Sequence, residues 1–376
     1  MISSMDGGGS ERQTLLLLQH LDRNRFDVHL YLKHFRGSLL DQVPHDVVVH
    51  AATDFGERNR VYWPGRIHRQ AVDELTSLLK RLEIDVVYDR TYHMTLIAGP
   101  ACEAASVPRV STMVSPPSRA VPMVEKRFVE WKRKRLAQAY RTSRHVVTVS
   151  QQAADSAVTY YGLSADAIQV IPNPVDLTRL THDANEARVD SATRSNRIRL
   201  VCVGRMTAEK GQGVLLDAVR RCETDWPSDT PGLEVRLVGD GALKRQLNAA
   251  SESLTGRHRV VFVGHLDRPA GEIAAADALV LPSLFEGMPN VVLESMALGT
   301  PVIATRSGGT PEIERDEPIA FWAQPGDADS LANAIRRFAS EPTMAKAHVE
   351  AAERVIRRHH SIGMTTHRIS ELLLDR

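Results

Sequence analysis

The chain has 376 residues, more than one simple core takes when a domain runs to about 150 residues. Hydrophobic residues make up 43% of it and charged residues 25%, a globular balance that excludes a disordered scaffold or a fibre. Lysine and arginine total 47 against 46 acidic residues, so the net charge of +1 gives no general attraction to nucleic acid, which is not expected as a partner.

The three cysteines, Cys102, Cys202 and Cys222, show no CxxC spacing and cannot all pair, which argues against a disulfide framework or a cysteine zinc site. A reducing cytoplasm fits that usage. No uncharged apolar run approaches the roughly 18 residues of a spanning helix. The first residues, MISSMDGGGSERQ, lack the basic start and apolar core of a secretory signal. The expected location is cytoplasmic, with a local reason, given below, to sit at the inner face of a membrane.

Short β-branched runs alternate with helical patterns along the whole chain, the signature of βα units and parallel sheets. Met1–Met5 read as the last residues of a strand, and since strands typically hold about five to six residues the first one is expected to be truncated. The next segment, DGGGSERQTLLLLQHL (Asp6–Leu21), is a glycine turn feeding an amphipathic helix. Gly7, Gly8 and Gly9 would let backbone amides approach a phosphate or sugar; the alternative is a tight turn that only starts the helix. Strands are then expected at Phe26–Lys33, Asp46–His50, Ile84–Asp89, Arg109–Met113 and His145–Ser150, with helices such as Ile67–Leu82 and Gln151–Tyr161, giving a first sheet of about five strands.

The stretch VEKRFVEWKRKRLAQAYR (Val124–Arg141) gathers Lys126, Arg127, Lys132, Arg133, Lys134 and Arg135 around Phe128 and Trp131. A basic helix with aromatic residues suits an anionic bilayer surface and would bring the protein to a lipid-borne acceptor. The other reading buries Phe128 and Trp131 in the core. Two prolines in IPNPVD (Ile171–Asp176) forbid regular structure, and the polar stretch Thr181–Asn196 follows; a hinge is expected there. The second half restarts the rhythm at Ile198–Gly204, Leu233–Gly239, Arg259–Gly264, Asp277–Ser283 and Pro301–Thr305. The expected architecture is α/β, two doubly wound Rossmann-like domains over residues 1–172 and 173–359 facing a cleft lined by strand ends.

Chemistry concentrates at those ends. VGRMTAEKGQG (Val203–Gly213) sets Arg205 and Lys210 just beyond Gly204 and a strand, a cation pair suited to a diphosphate leaving group at a helix N-terminus without a metal; the alternative is an ordinary solvated loop. In PSLFEGMPNVVLESMALGTPVIAT (Pro282–Thr305), Glu286 and Glu294 flank a Gly-Met-Pro-Asn turn that opens a helix near Pro289 or Asn290. Amides at Gly287, Met288 and Asn290 would face a nucleotide sugar, and the two carboxylates would accept from its hydroxyls. The alternative makes Glu294 a first-turn residue favoured by the helix dipole and Glu286 a solvated loop residue. LVGDGALKRQL (Leu237–Leu247) adds Gly239, with Asp240 as a candidate helix cap, and VFVGHLDR (Val261–Arg268) adds Gly264 and His265 as the edge of a base pocket. Asp327 and Asp329 form a D-x-D read as helix cap and first turn rather than a metal site, and no other spacing suggests a metal.

GGGSERQ, IPNPVD, GRMTAEKG, LVGDG and EGMPNVVLESMALGTPVIAT, in that order, together resemble glycosyltransferase family 4, retaining enzymes of the GT-B fold, over nearly the whole chain. The resemblance implies that Arg205 and Lys210 bind the donor diphosphate, Glu286 the donor sugar and Glu294 the ribose. It further implies that Gly287 through Asn290 cradle sugar and phosphate, that Gly8 and Gly9 approach the donor from the other domain, and that no metal is needed. The last helix, about 360–376, would return to the first domain. One departure stands out: many relatives carry a histidine after the strand at Arg109–Met113, where this chain continues Val114-Ser115-Pro116. His93, in DRTYHM, is the nearest candidate to compensate; it reads equally as a residue at a capped helix start.

The implied function is transfer of a hexosyl or N-acetylhexosaminyl unit from a UDP-sugar, with retention, to a cell-envelope glycan or polyprenyl-linked acceptor. Front-face displacement, in which the departing diphosphate oxygen helps deprotonate the acceptor, asks little of a protein base. The rivals are a sugar-nucleotide epimerase of the same fold, which would convert the donor with no acceptor, and a degenerate protein that binds UDP without turnover. A nicotinamide dehydrogenase fits poorly, because no GxGxxG follows a complete first strand.

Overall fold

The computed structural model describes residues 1–53, 65–125, 127–186, 196–252, 254 and 256–375. Lys126 of the basic stretch and residues 187–195 of the polar stretch therefore lie outside the described residues. The chain divides into two compact units, Met1–Asn173 with Ile362–Arg376, and Pro174–Ser361.

The first unit holds strands β1 (His29–Leu32), β2 (Val48–Ala51), β3 (Val87–Arg90), β4 (Arg109–Met113), β5 (His145–Thr148) and β6 (Ile168–Val170). β3 to β6 form a four-stranded parallel sheet in sequence order, and β1 pairs with β2. The five-stranded sheet expected from sequence is thus two pieces, and the opening residues link them. Ile2 bridges Leu32, its N–H donating to the Tyr31 carbonyl at 3.1 Å, while the N–H of Arg90 donates to the Met1 carbonyl at 3.2 Å. Ile2 and Met5 are fully buried there, in the core that also holds Leu15, Leu30 and Leu32. β6 is absent from the sequence reading because its three residues are too few to show an alternation.

Helices α1 (Gly9–His20), α2 (Arg66–Arg81), α3 (Tyr92–Ala105), α4 (Pro117–Val124), α5 (Val129–Arg141) and α6 (Gln151–Tyr161) connect these strands. α2 buries Leu75 and Leu79, one turn apart, and turns its charged residues outward. α6 is capped by Ser150, whose hydroxyl accepts from the Ala153 N–H, and ends on Gly162 in the left-handed region. Phe128 and Trp131 are exposed, at 71% and 47%, so the reading that buries them in the core does not hold. Arg135 stacks on the Trp131 ring instead, 5.1 Å from its centroid.

The second unit begins with α7 (Leu177–Glu186), which overrides the irregular stretch expected from Thr181 as far as Glu186. Asp176 Oδ1 accepts the Arg179 N–H at 3.0 Å, and Arg179–Asp183 and His182–Glu186 are i,i+4 pairs, so a cap and side-chain pairs sustain a polar helix. Six parallel strands follow: β7 (Ile198–Val203), β8 (Leu233–Val238), β9 (Arg259–Gly264), β10 (Ala278–Leu281), β11 (Val302–Thr305) and β12 (Phe321–Ala323). Their order is β12-β11-β10-β7-β8-β9, so the winding reverses between β7 and β10, the point where open α/β sheets bind ligands at their carboxyl ends. β12, again three residues, is the strand the sequence did not show. Helices α8 (Gln212–Asp225), α9 (Lys244–Ser251), α10 (Ala270–Ala274), α11 (Asn290–Ala297), α12 (Ala328–Ser340) and α13 (Pro342–His359) complete this unit. Its core runs through Leu200, Leu215, Val219, Leu237, Val280 and Ile335, all essentially inaccessible to solvent. A last helix, α14 (Ile362–Leu374), belongs to the first unit, where Ile369, Leu372 and Leu373 pack with Val110, Val147 and Ile171.

Asp327 caps α12, its Oδ1 accepting the Ser330 N–H at 2.9 Å, and Asp329 pairs with Arg221 at 2.5 Å. Asp327→Ala is expected to cost about 1 kcal/mol. Urea unfolding monitored by tryptophan fluorescence checks this; an unchanged midpoint would show that the cap carries no stability. All three cysteines are buried and free.

Candidate active site

The site is built where the winding of the second sheet reverses. β7 delivers Gly204, whose N–H donates to the Val238 carbonyl, and the chain then turns through a short 3-10 segment, Ala208–Lys210, into α8. Gly211, the N-cap of α8, has φ +65°, and a Cβ there would lie 2.1 Å from the Pro282 carbonyl oxygen at the end of β10. Only glycine permits that approach. The Leu284 N–H closes it by donating to the Glu209 carbonyl at 2.8 Å.

This packing brings Lys210 and Glu286 together across 76 residues. Lys210 Nζ donates to Glu286 Oε1 at 2.6 Å, and the Ser283 hydroxyl donates to the same oxygen at 2.7 Å. The Lys210 stem passes Gly204, where a Cβ would lie 3.7 Å from its Cδ. The Glu286 side chain is only 11% exposed and that of Lys210 only 22%, so neither belongs to a solvated loop. The Glu286 backbone is set from the other side by Gly308 at φ +60°, whose missing Cβ would fall 1.8 Å from the Glu286 carbonyl oxygen, and by the Gly309 N–H donating to Gly287. Thr305 Oγ1 donates to the Ser283 carbonyl at 2.6 Å and ties the turn to β11.

Pro289 is the N-cap of α11 and Asn290 its first residue, with Gly287, Met288 and Pro289 buried. Glu294 is the fifth residue of α11, beyond the first turn, so the reading of it as a residue held by the helix dipole does not hold. Gly239 follows β8, and its N–H donates to the Gly264 carbonyl at 2.7 Å, which sets the strand ends of β8 and β9 beside that of β7. Asp240 does not cap a helix: α9 starts after Leu243, while Asp240 accepts from the Gly241 N–H and pairs with Lys244 at 2.6 Å. Those two contacts hold its carboxyl below the usual range.

Two expected residues stand apart from the Lys210–Glu286 pair. Arg205 is 76% exposed at its side chain and pairs with Glu209 at 3.5 Å, and Glu209 also accepts from the Thr207 hydroxyl. His265 faces Asp267 at 3.3 Å. Ser283, Glu209 and Gly308 are the members the sequence reading passed over; a serine three residues before Glu286 at the end of a buried strand was the available signal. Among the described residues, His182, Asp183 and Glu186 group closely enough to suggest cation ligands, but Arg268 already contacts Asp183 at 3.2 Å and Glu186 at 3.4 Å.

In the first unit, Gly8 is the N-cap of α1 and Gly9 its first residue. His93 lies in the first turn of α3, stacked on Tyr92 with ring centroids 4.0 Å apart. Burial lowers its pKa, partly offset by Glu125, whose Oε1 is 3.5 Å from Nε2. Thr91, the N-cap of α3, has φ +77°, a strained conformation for a β-branched residue.

Two family models cover most of the chain: Glycosyltransferase Family 4 matches residues 7–179 and Glycosyl transferases group 1 matches residues 183–355. The chain belongs to glycosyltransferase family 4. Over 177 residues this family-4 chain is 33% identical to the lipopolysaccharide core biosynthesis glycosyltransferase LpsD of Rhizobium meliloti (strain 1021), covering 47% of this chain and 48% of LpsD. Over 354 residues it is 23% identical to the UDP-Gal:alpha-D-GlcNAc-diphosphoundecaprenol alpha-1,3-galactosyltransferase of Escherichia coli, covering 89% of this chain and 86% of that one. The chain spans about half the length of LpsD and of other curated relatives that it matches. The solved structure of Anabaena Alr3699/HepE in complex with UDP-glucose aligns over 99% of this chain and 98% of that one, with a TM-score of 0.78 at 21% identity. The shared fold is GT-B.

Proposed function

We propose that this family-4 chain transfers a hexosyl or N-acetylhexosaminyl unit from a UDP-sugar to a cell-envelope glycan or a polyprenyl-linked acceptor, with retention at the anomeric carbon and without a metal. One observation carries the reading: a lysine and a serine converge on one oxygen of Glu286 at the point where the parallel sheet reverses. Lys210 supplies positive charge beside the N-terminus of α8, which suits a departing diphosphate, and Arg205 supplies a second cation from the exposed turn. Glu286, with Oε1 engaged, turns Oε2 to a donor-sugar hydroxyl, and Glu294 accepts from the ribose. Gly287, Met288, Pro289 and Asn290 shape the start of α11 against sugar and phosphate, and Gly204, Gly239 and Gly264 with His265 line the nucleotide side. Gly8 and Gly9 enter through the family pattern, and His93 as the nearest candidate to stand in for the family histidine that is missing after Arg109–Met113. The names of the R. meliloti and E. coli relatives support a cell-envelope acceptor and a UDP-sugar donor.

The test is UDP release across a panel of UDP-sugars, with and without detergent-extracted membranes and with EDTA throughout, for the wild type, Glu286→Ala and Arg205→Ala. Release from one donor that needs the extract, is lost in Glu286→Ala and is lowered in Arg205→Ala supports the reading. Donor epimerisation without any acceptor, or silence across the panel in folded protein that binds UDP, would overturn it.

Among the described residues no helix is long and apolar enough to cross a membrane. The proposed route to a lipid-borne acceptor is surface binding through Val124, Phe128 and Trp131, all exposed, with Arg127, Lys134 and Arg135 exposed around them. The double variant Phe128→Ser with Trp131→Ser is expected to lower sedimentation with phosphatidylglycerol vesicles at least about tenfold. Equal sedimentation of variant and wild type would remove this part of the proposal.

A further inference from the structure

One indole of the second unit holds both ends of the segment whose glycines set Glu286. Trp322 is the middle residue of β12; its neighbours Phe321 and Ala323 lie in the core, and the alternation of a strand turns Trp322 to the other face, where it is partly exposed. Its contacts there are with charged groups. The Arg306 guanidinium, just past β11, lies over the ring at 4.8 Å from its centroid, and the ring Nε1–H donates to Glu314 Oε2 at 2.7 Å. Glu314 also accepts the Ile319 N–H at 3.2 Å and stands 3.8 Å from Arg306, so guanidinium, indole and carboxylate close on one another. Between Arg306 and Glu314 the chain has little regular structure. Gly308 is left-handed, Gly309 donates to the Gly287 carbonyl at 3.0 Å, and the 3-10 stretch Thr310–Ile313 is little more than one turn. Such a segment has no ladder of its own, and the clasp acts at its two ends.

We infer that Trp322 is a positioning residue, which through Arg306 and Glu314 holds the segment 306–314 against the Glu286 turn and so sets how Glu286 meets a donor sugar. The inference rests on the transferase reading above. Its chain of contacts is continuous and lies within one unit. The Arg306 N–H donates to the Ala323 carbonyl at 2.9 Å, which carries the strand pairing one residue past β11. Two residues on, Gly308 comes so close to Glu286 that a Cβ would fall 1.8 Å from its carbonyl oxygen. Glu286 in turn receives Lys210 and Ser283 on Oε1. With the clasp open, the glycines can withdraw and the Glu286 carboxylate loses the direction that those two donors set. UDP alone has no sugar for Glu286 to read, so the effect falls on the sugar and not on the nucleotide.

The experiment compares wild type, Trp322→Ala, Trp322→Phe and Glu314→Gln. It measures calorimetric affinity for UDP, and acceptor-dependent UDP release from whichever of UDP-glucose, UDP-galactose, UDP-N-acetylglucosamine and UDP-N-acetylgalactosamine the wild type uses. Trp322→Ala is expected to lower kcat/KM for that donor roughly tenfold or more, with UDP affinity within about twofold of wild type. Trp322→Phe keeps a ring under Arg306 but loses the N–H to Glu314, and a loss of about threefold or more is expected. Glu314→Gln still accepts the indole N–H through its amide oxygen and is expected to stay above Trp322→Phe. Wild-type transfer by Trp322→Ala, or a fall in UDP affinity as large as the fall in transfer, overturns this inference alone. If Trp322→Ala does not fold, Trp322→Phe carries the same test, and its equality with wild type overturns the inference. Absence of transfer by the wild type with every donor overturns it together with the transferase reading.

Discussion

Replacing Lys210 with alanine is expected to lower acceptor-dependent UDP release by roughly 100- to 1000-fold, the usual loss when one pre-organised charge-stabilising donor is removed. The loss should fall on kcat more than on KM, because negative charge on the diphosphate grows as the bond to the sugar breaks. The geometry suits the proposed role: the Lys210 ammonium meets Glu286 at 2.6 Å, its stem runs past Gly204, and Gly211 locks the turn against Pro282. Lys210→Arg keeps the charge but asks the same slot to admit a planar fork, so partial recovery, well short of wild type, is expected. Arg205→Ala should cost less, since that side chain is 76% exposed and its ion pair is with Glu209, not with Glu286. Steady-state kinetics of the three variants check the ranking; a larger loss in Arg205→Ala than in Lys210→Ala would invert the assignment.

The second large effect is expected at a residue with no side chain. Gly308→Ala would place a Cβ 1.8 Å from the Glu286 carbonyl oxygen at a φ of +60°, so the turn at Glu286–Gly287 must move or the chain must leave its left-handed conformation. The conformational term alone is about 1 to 2 kcal/mol, and the collision adds to it. Because the same displacement draws Glu286 away from Lys210 and Ser283, activity should fall by at least about 100-fold even below the unfolding temperature. Gly213→Ala is the control. Nothing lies within 4 Å of a Cβ at Gly213, the second residue of α8, and alanine there is expected to be neutral or slightly stabilising. Thermal unfolding and UDP release of both variants decide it: equal behaviour of the two would mean that Gly308 does not set the Glu286 turn.

Much of the second unit was legible because its parallel strands are short runs rich in Val, Leu and Ile, as IRLVCV and LEVRLV are, and glycine follows at Gly204 and Gly239 where these two end. β6 and β12 were not legible, since three residues carry no period. Nor was α7, whose polar sequence is sustained by the Asp176 cap and i,i+4 pairs rather than by a broad apolar face. In the site, the motif named Lys210 and Glu286 but not Ser283 between them, because a serine at a strand end has many uses and only the folded turn shows which oxygen it reaches. The surroundings of His93 were hidden for a related reason. Glu125 and Lys132 come from the end of α4 and from α5, more than one helix beyond it in sequence, and their apparent identity was that of a basic stretch.

The most direct measurement is calorimetric titration of UDP into wild type and Lys210→Ala in the presence of EDTA. The account predicts metal-free binding by the wild type and a loss of affinity in the variant of about tenfold or more, the share of one charge-assisted contact. Binding that needs a divalent cation, or equal affinity in the two proteins, would contradict it.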